Sequence, residues 1–180
     1  MLPLNKPSEC IATIGGTFDT LHAGHKEYIR LAFNFAEYVR IYVSADEFVQ
    51  DHKRYSLRPF EARVEKLLEY LQQNFEFSRY QIRRLRSLEE LREDYLETPG
   101  LREHLHLAIV TPEYYDFFQE LNRQREARGI KSFLTLVKQR TLTRDRRDLS
   151  SYEVRKRLPS SGKHALRQDL LRRQIALPLA

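Results

Sequence analysis

Between Gly15 and His25 the chain reads Gly15-Gly16-Thr17-Phe18-Asp19-Thr20-Leu21-His22-Ala23-Gly24-His25, three glycines, hydroxyls and two histidines packed into one short stretch. It follows the apolar run Cys10 to Ile14 and leads into a helical pattern, so these groups meet at a strand-to-helix junction. Backbone amides at a helix start attract anions, and glycine lets a ligand approach the main chain that presents them. Residues His22 and His25, three apart, share one face of a first helical turn and can reach one ligand. Gly24 removes a side chain where phosphates approach, and the Thr17 hydroxyl can donate to or accept from a phosphate oxygen. A histidine held there can stabilise negative charge building on phosphorus or on a departing pyrophosphate. A lone His-x-x-His pair also fits a partial metal site and a glycine pair fits a tight turn. A metal would want further ligands, and nothing in the sequence brings His104 and His106, which alternate on a later strand, to this loop. The Walker spacing GxxxxGK[ST] and the dinucleotide fingerprint GxGxxG are both absent.

The elements that must position this loop alternate. After the first strand, Cys10 to Ile14, the residues Tyr28, Ile29, Leu31, Ala32, Phe35 and Val39 recur at helical spacing, and Val39 to Ser44 reads as a second strand. Pro59 opens a helix carrying Val64, Leu67, Leu68, Leu71 and Phe75 on one face. Strands are predicted at Arg79 to Leu85, Leu105 to Thr111 and Ser132 to Val137, with a helix from Pro112 to about Arg128 that Gly129 ends. This alternation predicts an α/β fold, a doubly wound parallel sheet with helices on both faces. Ligands of such sheets bind beyond the carboxyl ends of the strands near a topological switch point, where the glycine-histidine loop falls.

The chain has 180 residues, which suits one domain over 1–158 and a basic, partly helical extension over 159–180. The net charge of +6 is a C-terminal property: from Arg140 to Arg173 there are 11 Lys/Arg against 4 Asp/Glu. Such a block can follow a nucleic acid, meet an acidic partner, hold a polyphosphate, or simply be a solvated face. Cys10 is the only cysteine, which excludes an internal disulfide and a multi-cysteine zinc site. No apolar run approaches the roughly 20 residues of a membrane span, and the N-terminus lacks a signal-peptide core, so no membrane partner is expected and the cytoplasm is the expected location.

GGTFDTLHAGH resembles the GTFDxxHxGH signature of a nucleotidyltransferase superfamily with a Rossmann-like domain. Leu149-Ser150-Ser151-Tyr152-Glu153-Val154-Arg155 is similar to the ISSTxxR segment that forms the second half of that signature. The resemblance spans about Ile11 to Arg157. Within the superfamily the chain is most similar to phosphopantetheine adenylyltransferases of archaeal and eukaryotic type, through Leu21-His22 after the loop's Phe-Asp, Lys26, Ala45 to Phe48, Arg58 to Val64, Val110-Thr111-Pro112-Glu113 and Asn122-Arg123. It departs from them at Tyr152, where threonine is usual, and between Ser87 and His104, where only Thr98-Pro99-Gly100 remains of an Asp-x-x-Gly-Pro-Thr passage.

The resemblance implies transfer of AMP from ATP to 4'-phosphopantetheine, with Mg2+ accompanying ATP. It implies a nucleotide site of Gly15, Gly16, Thr17, Phe18, His22, Gly24, His25, Ser150, Ser151 and Arg155. His25 would stabilise the reacting phosphate, His22 orient the nucleotide phosphates, and Thr17 bridge the attacking phosphate. Lys53 or Arg54 would place a cation between the two substrates, while Asp19 would hold the loop through backbone hydrogen bonds. Sister activities stay open: FAD synthetase, nicotinamide-mononucleotide adenylyltransferase and glycerol-phosphate cytidylyltransferase, although the RTEGIST-like ending of the last is not reproduced. A fold of this kind reused as an RNA-binding or regulatory module is the reading from another class; intact Thr17, His22, His25 and Ser150 favour the enzyme over a nucleic-acid partner.

Overall fold

The computed structural model describes residues 10–50 and 57–141. Lys53, Arg54, Ser150, Ser151, Arg155 and the 159–180 extension lie outside the described residues. Five parallel strands form one sheet in the order β3-β2-β1-β4-β5: β1 (Cys10–Gly16), β2 (Tyr38–Ser44), β3 (Tyr80–Leu85), β4 (Leu105–Val110) and β5 (Leu134–Val137). The order reverses at β1, which pairs with β2 on one side and β4 on the other, so the crevice at the carboxyl ends of β1 and β4 is the topological switch point.

Strand residues alternate between two cores. Ala12, Ile14, Ile41, Val43 and Ile82 pack under α1 (Ala23–Phe35) and α3 (Phe60–Asn74), through Ile29, Phe33, Val64, Leu67 and Leu71. Ile11, Tyr42, Leu85, Ala108 and Val110 face the other way, under α4 (Leu88–Glu97), α5 (Pro99–Glu103) and α6 (Tyr115–Ala127). A short helix, α2 (Asp46–Gln50), follows β2. The predicted doubly wound sheet, covered on both faces, is the fold observed.

Boundaries differ where local chemistry overrides periodicity. Pro59 stands outside its helix with ψ 148°, and its carbonyl accepts the Arg63 N–H at 3.1 Å. Pro112 starts only a 3-10 turn, Pro112–Tyr114, and the α-helix begins at Tyr115. Gly129 ends the segment after that helix with φ +68°, a left-handed conformation that glycine adopts without penalty. Helices α4 and α5 fill the stretch after Ser87. Their sequence signal is a capping arrangement: Ser87 Oγ accepts the Glu90 N–H at 3.0 Å while the Glu90 carboxylate accepts the Arg86 N–H at 2.7 Å.

Candidate active site

Gly15 and Gly16 are the last residues of β1, and the loop after them runs across the carboxyl end of the sheet into α1. Phe18 takes a left-handed φ of 47° and its side chain is fully buried. That conformation is costly for a residue with a Cβ and persists only where the surroundings fix it, as they commonly do at functional loops. A Cβ on Gly16 would sit 3.5 Å from the Phe18 ring, so the two positions are packed as a unit.

The surroundings that fix the loop come from the α3 side. Asp19, wholly buried, accepts the Arg58 backbone N–H at 2.8 Å, with the Arg58 Nε at 3.6 Å. It ties the loop to the entry of α3, which narrows the expectation that its bonds to backbone would hold the loop. Arg63, also wholly buried, donates to the carbonyls of Thr17 at 2.6 Å, Ser44 at 2.8 Å and Arg58 at 2.9 Å, and to the Asp46 carboxylate at 2.6 Å. One guanidinium thus joins the glycine loop, the end of β2, α2 and the start of α3. Its fork of fixed donors suits this and a lysine's point charge does not. The sequence reading passed over Arg63; the signal was an arginine among the apolar positions of the α3 face.

His22 is the N-cap of α1, its Nδ1 accepting the His25 N–H at 3.4 Å. Burial lowers its pKa, so it stays neutral with the proton on Nε2, a donor that needs no charge. His25 Nδ1 lies 3.0 Å from the Thr20 carbonyl and therefore carries its proton there. Protonation of that ring turns Nε2 into a second donor. The two imidazoles stack with centroids 3.9 Å apart and planes at 19°, and the Phe18 ring backs His25 at 5.3 Å. The histidines expected to converge do converge. A Cβ on Gly24 would lie 3.2 Å from the His22 ring and 3.1 Å from Thr141 Oγ1, so this glycine lets the His22 ring and the segment after β5 close over the start of α1. Thr141 also donates to Glu27 at 2.6 Å, and Lys138 reaches the same carboxylate at 3.4 Å. After β5 the chain therefore reaches the histidine loop at Thr141.

On the α4 side the loop borders an apolar cavity lined by Ile14, Phe48, Leu88, Leu91, Val110 and Phe118, with Gly15 and Gly16 in its wall. Four tyrosines also line it. Tyr28 donates to the Ile109 carbonyl, and burial raises its hydroxyl pKa above the ordinary value. Tyr42 donates to Asp94, which also pairs with buried Arg40 at 3.2 Å. Burial alone would raise the Asp94 carboxyl, but Arg40, the Thr98 and Tyr42 hydroxyls and Arg83 hold it below the usual range.

His104, read from the sequence as part of the later strand, is instead the C-cap of α5, and only His106 lies on β4. His106 is sealed in β4, its Nε2 3.1 Å from Thr13 Oγ1, and it is packed against Tyr95. Among the described residues, no group of three or more His, Cys, Asp or Glu is arranged to hold a metal ion, and no helix is long and apolar enough to cross a membrane.

A family model of cytidylyltransferase-like proteins matches residues 13–157. The phosphopantetheine adenylyltransferase of Methanopyrus kandleri is 30% identical over 142 residues, covering 79% of this chain and 86% of that protein. The enzyme of the same name from Pyrococcus horikoshii is 34% identical over 126 residues, covering 69% and 74%. Among solved structures, a protein of unknown function from Archaeoglobus fulgidus superposes with a TM-score of 0.58 at 24% identity, over 73% of this chain and 99% of that one. A bifunctional NMN adenylyltransferase/ADP ribose pyrophosphatase from Francisella tularensis gives 0.57 at 14% identity, over 83% of this chain and 41% of that one, a likeness of fold alone. With a family match that takes in both the histidine loop and the distant serine segment, the chain belongs to the cytidylyltransferase-like nucleotidyltransferases and, within them, to the phosphopantetheine adenylyltransferase family.

Proposed function

We propose that this chain transfers the adenylyl group of ATP to 4'-phosphopantetheine, releasing pyrophosphate and forming dephospho-coenzyme A. The observation that carries this reading is the stacked His22–His25 pair at the helix start, beside an apolar cavity at the switch point of the sheet. A phosphate oxygen of the acceptor attacks the α-phosphorus; the new P–O bond forms as the bond to the β-phosphate oxygen breaks, and pyrophosphate leaves with the electron pair. No protein nucleophile is required, and catalysis consists of positioning and charge stabilisation.

His25 donates to the reacting phosphate, His22 supplies its neutral Nε2–H to the nucleotide phosphates, and the Thr17 hydroxyl bridges to the attacking oxygen. Lys53 or Arg54 provides a cation between the substrates, and Ser150, Ser151 and Arg155 hold the β- and γ-phosphates; these roles rest on the match of the sequence motifs. The pantetheine arm, a neutral chain with apolar stretches, suits the cavity walls of Leu88, Leu91 and Phe118. Asp19 is buried and committed to Arg58, so the described residues fit a Mg2+ ion that arrives on ATP and is held mainly through phosphates. Such an ion neutralises charge on the polyphosphate.

The test is pyrophosphate release from a matrix of ATP or CTP with 4'-phosphopantetheine, nicotinamide mononucleotide, FMN or glycerol phosphate. The expected result is turnover with ATP and 4'-phosphopantetheine at a kcat/KM well above every other pair. Preference for another acceptor overturns the assignment.

A further inference from the structure

We infer that the groove between the start of α1 and the outer face of α3 is a second anion site, for a phosphate or phosphate-monoester dianion, whose occupancy acts on the histidine loop. The groove encloses about 290 Å³ and is lined by Thr20, Leu21, Lys26, Arg58, Lys66, Glu69, Tyr70 and Gln73, a set that contains neither His22 nor His25. Three cations face one wall carboxylate. Among the described residues Lys26 has no carboxylate partner; its ammonium lies over the Tyr70 ring, 5.4 Å from the centroid. Lys66 holds Glu69 at 2.7 Å, and Asp19, which pairs with Arg58, is wholly buried.

The independent observation is Tyr70. This side chain is 8% exposed, and among the described residues its buried hydroxyl has no hydrogen-bond partner. A buried donor left unpaired is unfavourable, and an anion accepting from it relieves part of that cost. A phosphate dianion offers acceptors to one neutral and several cationic donors at once, and the volume admits the phosphate with only a small organic remainder.

The groove is wired to the loop through Arg58. Its Nη2 donates to Thr20 Oγ1 at 3.1 Å, its backbone N–H to Asp19, and the Thr20 carbonyl in turn accepts from His25 Nδ1 at 3.0 Å. An anion that draws the Arg58 guanidinium toward Lys66 competes with its hold on Thr20 and so shifts the residue that orients His25. Binding in the groove and substrate binding at the loop are then coupled, with the same factor in both directions. The coupling to turnover rests on the adenylyl-transfer reading; the anion site itself does not.

The test is titration of 15N-labelled protein with inorganic phosphate and, separately, with glycerol 2-phosphate. The expected result is shifted amides at Lys66, Tyr70 and Gln73 together with Thr20 and Leu21. Lys66→Gln weakens that binding about fivefold or more, Tyr70→Phe weakens it about twofold to threefold, and His25→Ala leaves it unchanged. Response to both probes marks the dianion itself as the ligand; response to the ester alone places the organic remainder in the groove. Shifts confined to residues 15–25, or shifts indifferent to Lys66→Gln, overturn the site. Pyrophosphate formation that responds to the anion in the wild type and not in Lys66→Gln supports the coupling. Groove binding with unaltered turnover in an active enzyme overturns the coupling alone.

Discussion

The two faces of the sheet use the same parts for different ends. Under α1 and α3, buried Arg63 gathers the carbonyls of Thr17, Ser44 and Arg58 and pairs with the Asp46 carboxylate, which is 38% exposed. Under α4, α5 and α6, buried Arg125 gathers the carbonyls of Tyr95, Leu101 and Lys131, and burial lowers its pKa. Each face also has a histidine. His25 sits at a helix start close to the exposed end of β1 at Gly15, whereas His106 is 1% exposed between Thr13, Tyr95 and Phe133. The first face pins a partly buried loop at the carboxyl end of the sheet, and the second closes over its polar groups. Position relative to the carboxyl ends of the strands, more than residue type, separates chemistry from architecture.

The largest expected effect that sharpens this contrast is at the arginines. Arg63→Met leaves three carbonyls and one oxygen of the partly exposed Asp46 without their donor, and is expected to cost about 2–4 kcal/mol in urea unfolding and to abolish pyrophosphate formation in the molecules still folded. Arg125→Met is expected to lose stability with kcat/KM per folded molecule within about threefold of wild type; a selective loss of activity there would erase the distinction between the faces. At the histidines, His25→Ala should lower kcat by about 10²–10³ in steady-state assays, as removal of a preorganised donor does elsewhere. His106→Phe should instead cost about 1–3 kcal/mol of stability and little activity.

The pH dependence of folding gives a finer probe. Burial, then Arg125 and Arg40, holds the His106 pKa well below its ordinary value of 6.5. The unfolded chain binds the extra proton first, so this contribution to stability is complete above about pH 6.5 and is lost as pH falls toward the folded-state pKa. The slope reaches at most about 1.4 kcal/mol per pH unit, and the His106→Phe variant should lack it in unfolding curves taken between pH 5 and 7. The smallest effect is expected at Gly24→Ala, where the added Cβ presses on the His22 ring at 3.2 Å. There KM for ATP should rise several-fold while stability changes by less than about 1 kcal/mol, since the gain in helix propensity offsets part of the contact.

Much of this division was legible in the chain. The glycine-histidine loop announced its place after β1, because Cys10 to Ile14 is a continuous apolar run and α1 carries its own period. His106 lies on β4 as the sequence implies, whereas His104 falls just before that strand as the C-cap of α5. Arg63 and Arg125 were not legible, because a buried arginine and a solvated one look alike until the carbonyls that surround them are assembled from distant segments. Helices α4 and α5 were passed over although Leu88, Leu91 and Tyr95 repeat at helical spacing, since Thr98-Pro99-Gly100 breaks the pattern and only the Ser87–Glu90 cap marks its start. At Gly24 the sequence points to clearance for phosphates, and the structure adds that a Cβ there would meet the His22 ring and Thr141.

The central claim is that this loop positions two phosphates for direct transfer without a covalent enzyme intermediate. It is tested most directly by the stereochemical course of the reaction, using ATP carrying a single sulfur of known configuration on the α-phosphorus with 4'-phosphopantetheine as acceptor. One in-line displacement predicts inversion at phosphorus in the dephospho-coenzyme A product. Retention, which requires two displacements through a group on the protein, would contradict the account.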